Sequence, residues 1–246
     1  MTRAVSTRSA DSRGHWALAA VLVGVLAVWN NVVIPQVSGA TASYVVVNCG
    51  AAGVLVAAAR WTGLTWAELG LSPGRLWAGL RWGGACSAVV ALALTAAVAV
   101  PALRPLLTDA RAADLNAGDV AVEVLVRIPL GTVLWEEVAF RGVLLAALAR
   151  VLPVRRAVAT AAILFGVWHI RPTLSGLAAN DLVDAAWLRT LAVFGVCAFT
   201  AAAGALLCWL RLRSGSLLAP ALLHLATNTL GTVAAAAAHR LVDSAA

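Results

Sequence analysis

Trp135-Glu136-Glu137-Val138-Ala139-Phe140-Arg141-Gly142 sets three ionisable side chains inside a long apolar stretch. A single charge at the centre of a bilayer costs roughly 2.5–3.5 kcal/mol on insertion scales. Three together need compensation, and spacing supplies part of it. Glu137 and Arg141 are i,i+4, so on a helix they share a face and can pair. Glu136 points about 100° away around the helix and lacks that partner. One carboxylate is thus matched to an arginine, and the other is available to take a proton.

The surrounding chain explains why this stretch is read as intramembrane. Of 246 residues, 62% are hydrophobic, and the mean hydropathy is +0.90. Soluble domains lie nearer 45–50% apolar. The fold class expected is an all-α polytopic membrane protein, a bundle of about seven transmembrane helices around a buried polar site. Lysine is absent, so every basic side chain that contributes to the net charge of +7 is an arginine. The arginines fall between apolar runs, which suits anchoring and orientation in a bilayer rather than nucleic-acid binding. Cys49, Cys86, Cys197 and Cys208 lie in apolar segments without C-x-x-C spacing. They read as small buried apolar residues, neither disulfides nor metal ligands.

Along the chain, residues 1–15 are polar and read as a disordered cytoplasmic tail. Residues 16–118 hold the N-terminal transmembrane helices and their loops. The first apolar run, about 16–35, is long enough to span. The triplet Ser38-Gly39-Ala40 has the small residues of a signal-peptidase site, but the run is read as a retained helix. A second run covers about 43–59, where Gly50 and Gly53 allow close helix contact. Residues 60–81 mix Arg60, Glu68, Arg75 and Arg81 with Trp61, Trp66 and Trp77, the signature of an interfacial belt. A third run, about 82–103, precedes a polar loop, 104–118. The fourth segment, about 119–150, contains the opening stretch, a Glu123–Arg127 i,i+4 pair read as an interfacial surface pair, and a kink signal at Pro129. A fifth run, about 154–170, ends in a loop with Arg171-Pro172, Asp181 and Asp184. The sixth and seventh, about 187–210 and 216–238, flank a turn at 211–215. Residues 119–240 form the expected catalytic core.

The arginines orient the bundle. Arg3, Arg8, Arg13, Arg60, Arg75, Arg81, Arg150, Arg155, Arg156, Arg211 and Arg213 fall on one side of such a topology. Arg104, Arg111, Arg171, Arg189 and Arg240 fall on the other. The positive-inside rule then expects a cytoplasmic N-terminus and an external C-terminus.

His169, His224 and Asn228 are polar positions in otherwise apolar runs, and His224 and Asn228 share a face as an i,i+4 pair. Counting from the flanking arginines places Glu136 and His169 ~21 Å along their helices, and His224 and Asn228 ~17 and ~23 Å along theirs. Four polar side chains on three helices therefore fall in one layer. A carboxylate, two imidazoles and an amide can activate water and stabilise an oxyanion; the same set can also serve as a proton relay.

Glu136-Glu137-x-x-x-Arg141, Phe165-x-x-x-His169 and His224-x-x-x-Asn228, in that order, resemble the CPBP family, the CAAX protease and bacteriocin-processing (ABI) family of intramembrane endopeptidases. Phe140 and Gly142 complete Glu-Glu-x-x-Phe-Arg-Gly, and Arg213-Ser214-Gly215-Ser216 runs into Pro220 and His224 as that family's last motif does. The likeness covers about residues 120–238. It implies that Glu136 is the general base, with His169 beside it activating water. It also implies that His224 and Asn228 steady the oxyanion, and that Glu137 and Arg141 form a structural ion pair.

Cofactors and substrate follow from the same set. Glu136, His169 and His224 could in principle hold zinc, since His₂Glu sets occur in zinc proteases. H-E-x-x-H is missing and asparagine is a poor zinc ligand, so metal-independent Glu/His catalysis is preferred. The substrate expected is a membrane-associated peptide or protein in the lipid bilayer of a bacterial plasma membrane. The alternatives are a non-proteolytic scaffold or bacteriocin-immunity protein of the same fold, and a proton-coupled transporter.

Overall fold

The computed structural model describes residues 2–37, 40–181 and 185–244. Two residues of the Ser38-Gly39-Ala40 triplet, and Asp184, lie outside the described residues. Among those described there are helices and turns but no strand. The long helices are α1 (Thr2–Val28), α2 (Thr41–Trp61), α3 (Leu76–Ala99), α4 (the continuous helical run 117–151), α5 (Val154–Trp168), α6 (Ile170–Ala179), α7 (Ala186–Ser214) and α8 (Leu218–Asp243). Six spans among the described residues are long and apolar enough to cross a membrane. The expected fourth span, α4, is not one of them. It is long enough, but it carries Asp119, Glu123, Arg127, Glu136, Glu137 and Arg141.

α4 is the centre of the bundle. Every residue from 135 to 148 is buried, as expected of a helix packed on all sides. Asn116 starts α4 with a capping box. Its side chain accepts from the Gly118 and Asp119 N–H groups, and the Asp119 carboxylate accepts from the Asn116 N–H. Two π-helical stretches, Glu123–Val133 and Glu137–Leu144, bracket the short α turn Leu134–Glu136. Pro129, which cannot donate to the ladder, sits in the first.

The helices around α4 approach one another through small residues. A Cβ added at Gly83 of α3 would lie 2.8 Å from the Ala219 carbonyl of α8, and one at Gly166 of α5 would lie 2.5 Å from the Cys197 carbonyl of α7. Only glycine permits such approaches.

Each end of the bundle is tied by its own contacts. At one end Arg150 pairs with Glu68, and Arg211 donates to the Ala67 and Glu68 carbonyls at 3.2 and 2.6 Å. The Leu217 N–H there donates to Gly70. At the other end, Asn180 donates to Asp109 at 3.1 Å, His239 contacts the Asp109 backbone, and Arg240 donates to Leu115.

Four details differ from the sequence expectation. α1 begins at Thr2, inside the stretch expected to be a tail, since neither proline nor glycine stops helix propagation before Gly14. The expected polar loop 104–118 contains a 3₁₀ turn, Pro101–Leu106, and a short helix, Ala110–Ala113. The loop expected after residue 170 is helix α6. Pro172 lies in its first turn, where a missing N–H is tolerated. Of the four free cysteines, Cys208 is buried, whereas Cys49, Cys86 and Cys197 are half-buried. In residues 60–81, Trp61, Trp66 and Trp77 are exposed while Leu64 and Leu69 are fully buried, so this segment is pinned to the core beneath its aromatic surface.

Candidate active site

α4 supplies two adjacent carboxylates to different neighbours. Glu137 faces α8, where its Oε1 accepts the Nδ1–H of His224 at 2.8 Å. The same oxygen lies 2.6 Å from an Arg141 guanidinium nitrogen. This i,i+4 contact is a charge pair rather than an aligned hydrogen bond, because none of the guanidinium nitrogens has an acceptor in line among the described residues. The guanidinium carbon instead lies 4.1 Å from the Phe165 ring centroid, where the ring face favours a cation. Arg141 and Glu137 are each about 1% exposed, so each is the other's principal neutralising charge.

Glu136 turns toward α5. Its Oε1 accepts the indole N–H of Trp168 at 2.9 Å. Its Oε2 has no hydrogen-bond partner among the described residues and lies 3.8 Å from Nε2 of His224. That separation exceeds a direct hydrogen bond. His224 is therefore set between the two carboxylates, held by Glu137 at one nitrogen and presenting the other to Glu136.

The end of α5 fixes the second imidazole. Pro172 has no N–H for the Trp168 carbonyl, and that carbonyl accepts instead from the Asn30 side chain at 2.9 Å. The helix breaks at His169 before α6 begins. His169 Nδ1 lies 2.7 Å from the Phe165 carbonyl. A carbonyl only accepts, so Nδ1 carries the hydrogen, and in the neutral ring Nε2 keeps its lone pair.

Glu136, His169, His224 and Asn228 all line one cavity of about 1040 Å³. The depth expected from arginine counting thus corresponds to a shared space. A neighbouring cavity of about 620 Å³ shares Asn228, Arg127 and Thr132 with it. The Glu123–Arg127 pair closes at 3.0 Å, but Arg127 also lies over the Tyr44 ring and lines both cavities. It is wall as well as interfacial pair.

Among the described residues no three His, Cys, Asp or Glu side chains group so as to hold a metal ion. Glu136, His169 and His224 do not form the three-donor arrangement that zinc takes.

Two contacts were missed by sequence spacing. One is Glu137 with His224, which links the ion pair to the imidazole. The other is Trp168 with Glu136. An indole in mid-span rather than at an interface was the available signal. The N-terminal helices also contribute wall residues despite carrying no motif. Trp29 stacks near Trp135 at 5.0 Å and donates to Asn48 at 2.9 Å, and the Tyr44 and Thr132 hydroxyls are 3.2 Å apart.

The fold is a helical membrane bundle with a buried carboxylate–imidazole–amide set. Residues 119–230 match a family model described as Rce1-like: Type II CAAX prenyl endopeptidase Rce1-like. Over this segment the chain is similar to the CAAX-protease family, in line with the resemblance of its three motifs. No curated protein and no solved structure is significantly similar to the chain.

Proposed function

We propose that this protein is an intramembrane endopeptidase that hydrolyses a peptide bond of a membrane-associated peptide or protein with water activated by Glu136 and His169. The observation that carries this reading is the approach of Glu136 Oε2 to His224 Nε2 at 3.8 Å across a cavity that His169 and Asn228 also line.

A water held in this cavity gives a proton to Glu136, steadied by the Nε2 lone pair of His169. Its oxygen bonds to the scissile carbonyl carbon. The carbonyl oxygen becomes an oxyanion, toward which His224 and the Asn228 amide donate. Glu136 then returns the proton to the leaving nitrogen as the C–N bond breaks, giving a carboxylic acid and an amine. Glu137 holds His224 through Nδ1, and Arg141 offsets the buried charge of Glu137. No step needs a metal.

Transport would need a polar path to both faces. The buried layer from Trp135 to Leu148 beside the cavity favours hydrolysis over that alternative. Purified protein incubated with a membrane-tethered peptide library tests the proposal. Cleavage by the parent chain but not by Glu136→Gln is expected. Cleavage by neither, with both proteins folded, would favour the scaffold reading.

A further inference from the structure

We infer that the hydrolytic cavity opens to the outer face of the membrane, so that its substrate is a peptide segment presented from outside, on an exported or externally anchored chain. The substrate half of this inference rests on the proteolytic reading above; the side of opening does not.

The cavity has a wet end and a sealed end. Its wall includes Leu106, Asp109 and Arg111 from the segment before α4, Pro172 from α6, and Asn180 at the C-terminal cap of α6. Leu106 is 80% exposed, and the Arg111 side chain is 59% exposed. Arg111 and Asn180 hold the Asp109 carboxylate, and Arg111 pins it below the usual carboxylate range. The mouth is therefore built from charged groups that remain ionised in water.

In the opposite direction the same helices run into packed core. Phe140, Val143, Leu144 and Ala147 of α4 are 0–1% exposed, and Leu64 and Leu69 beneath the 60–81 segment are fully buried. Arg211 plugs that segment. A Cβ at Gly70 would lie 2.2 Å from its Nε, so the guanidinium lies directly against a turn that glycine, at φ +74°, alone suits. A peptide could not reach Glu136 from this end without unpacking the core.

The ends also differ in charge. Arg60, Arg75, Arg150, Arg155, Arg156 and Arg213 gather at the sealed end, where Glu68 is the acidic partner. The arginines of the mouth end are interleaved with Asp109, Asp114, Asp119 and Asp181. Lys and Arg close to span ends favour the cytoplasm, whereas acidic residues count little. The sealed end is therefore cytoplasmic and the mouth external. A cytosolic C-terminus would arrive at the wrong end of the bundle.

Single cysteines test this in intact cells with a membrane-impermeant maleimide, using a parent chain whose four native cysteines are replaced by alanine. Leu106→Cys is expected to label without permeabilisation, and Arg155→Cys only after it. Both positions are exposed, so neither change threatens folding. Leu106→Cys labelling only in permeabilised cells would overturn the inference. The substrate half is read with a lipid-tethered quenched peptide added to the outside of right-side-out vesicles or of inside-out vesicles. Cleavage in right-side-out vesicles alone is expected. Cleavage in inside-out vesicles alone overturns it. Cleavage in neither, with Leu106→Cys labelled from outside, overturns the substrate assignment through the proteolysis on which it rests and leaves the orientation standing.

Discussion

Oε1 of Glu137 accepts the Nδ1–H of His224 at 2.8 Å. The carboxylate that spacing pairs with Arg141 is therefore also the group that orients an imidazole on another helix. Charge compensation and imidazole positioning share one oxygen, which lets the roles of its partners be separated experimentally.

Arg141→Ala removes one member of a buried pair and leaves Glu137 uncompensated in the membrane. Breaking such a pair typically costs about 3–5 kcal/mol. The expected outcome is a low folded yield in detergent and a lower thermal midpoint, read by fluorescence-detected size exclusion. Unchanged yield and midpoint with activity alone lost would make Arg141 part of the chemistry.

Glu136→Gln keeps the side chain's shape, and the amide oxygen can still accept from Trp168. It removes the base. Turnover should vanish while the thermal midpoint holds. Asn228→Ala deletes one oxyanion donor, a loss that typically costs ~10²–10³ in rate, so a residual activity should remain. Full activity in Glu136→Gln would end the proposed mechanism.

Trp168→Phe keeps a ring against Phe140 but deletes the N–H that fixes Glu136. Hydrogen bonds to charged groups contribute about 1.5–3 kcal/mol, so kcat should fall roughly tenfold to a hundredfold with KM little changed. The isosteric benzothienyl analogue at position 168 should behave like phenylalanine. Wild-type kcat in the analogue would reduce Trp168 to packing.

The 60–81 segment carries a pH dependence. Arg150 hydrogen-bonds Glu68, with help from Thr65, and holds its carboxyl down to about 2 from an ordinary 4.5. A depressed folded value means that the stabilisation is full above the ordinary value and is lost as pH falls from 4.5 toward 2. Both side chains are about one-third exposed, so solvent screening limits the contribution to under about 1 kcal/mol. Thermal midpoints of Arg150→Ala and the parent should differ at pH 6 and converge as pH falls toward 2. A gap that persists in acid would contradict this.

Metal dependence is checked by chelation. Activity should survive treatment with a strong zinc chelator. Loss on chelation and restoration by zinc would replace the mechanism with one using Glu136, His169 and His224 as ligands.

Much of this architecture was legible because burying charge in lipid is costly. Ionisable residues inside apolar runs stand out, and counting from arginines placed Glu136, His169, His224 and Asn228 at one depth. The contacts between helices were less legible. Helical spacing relates residues within one helix, so it found Glu137 with Arg141 but not Glu137 with His224. Spacing at 3.6 residues per turn also passed over the two π stretches of α4. The helical α6 was read as loop because Pro172 looks like a terminator, whereas its effect is to release the Trp168 carbonyl to Asn30. The span count depended on α4, whose charges make it core by packing and a poor span by composition.

The π stretch Glu123–Val133 separates the chemistry from part of the cavity wall. A ring closed by an i→i+5 bond holds one residue more than an α turn. Removing one residue there would restore the α ladder and swing the preceding side chains by about 100°. Arg127 would leave the wall, while Glu136 kept its neighbours Trp168 and His224. Lineages of such chains could thus change pocket shape through single-codon deletions without altering a catalytic motif. Retained turnover with an altered peptide preference is what a one-residue deletion within 128–130 would display, and lost turnover would show that wall and chemistry are not separable.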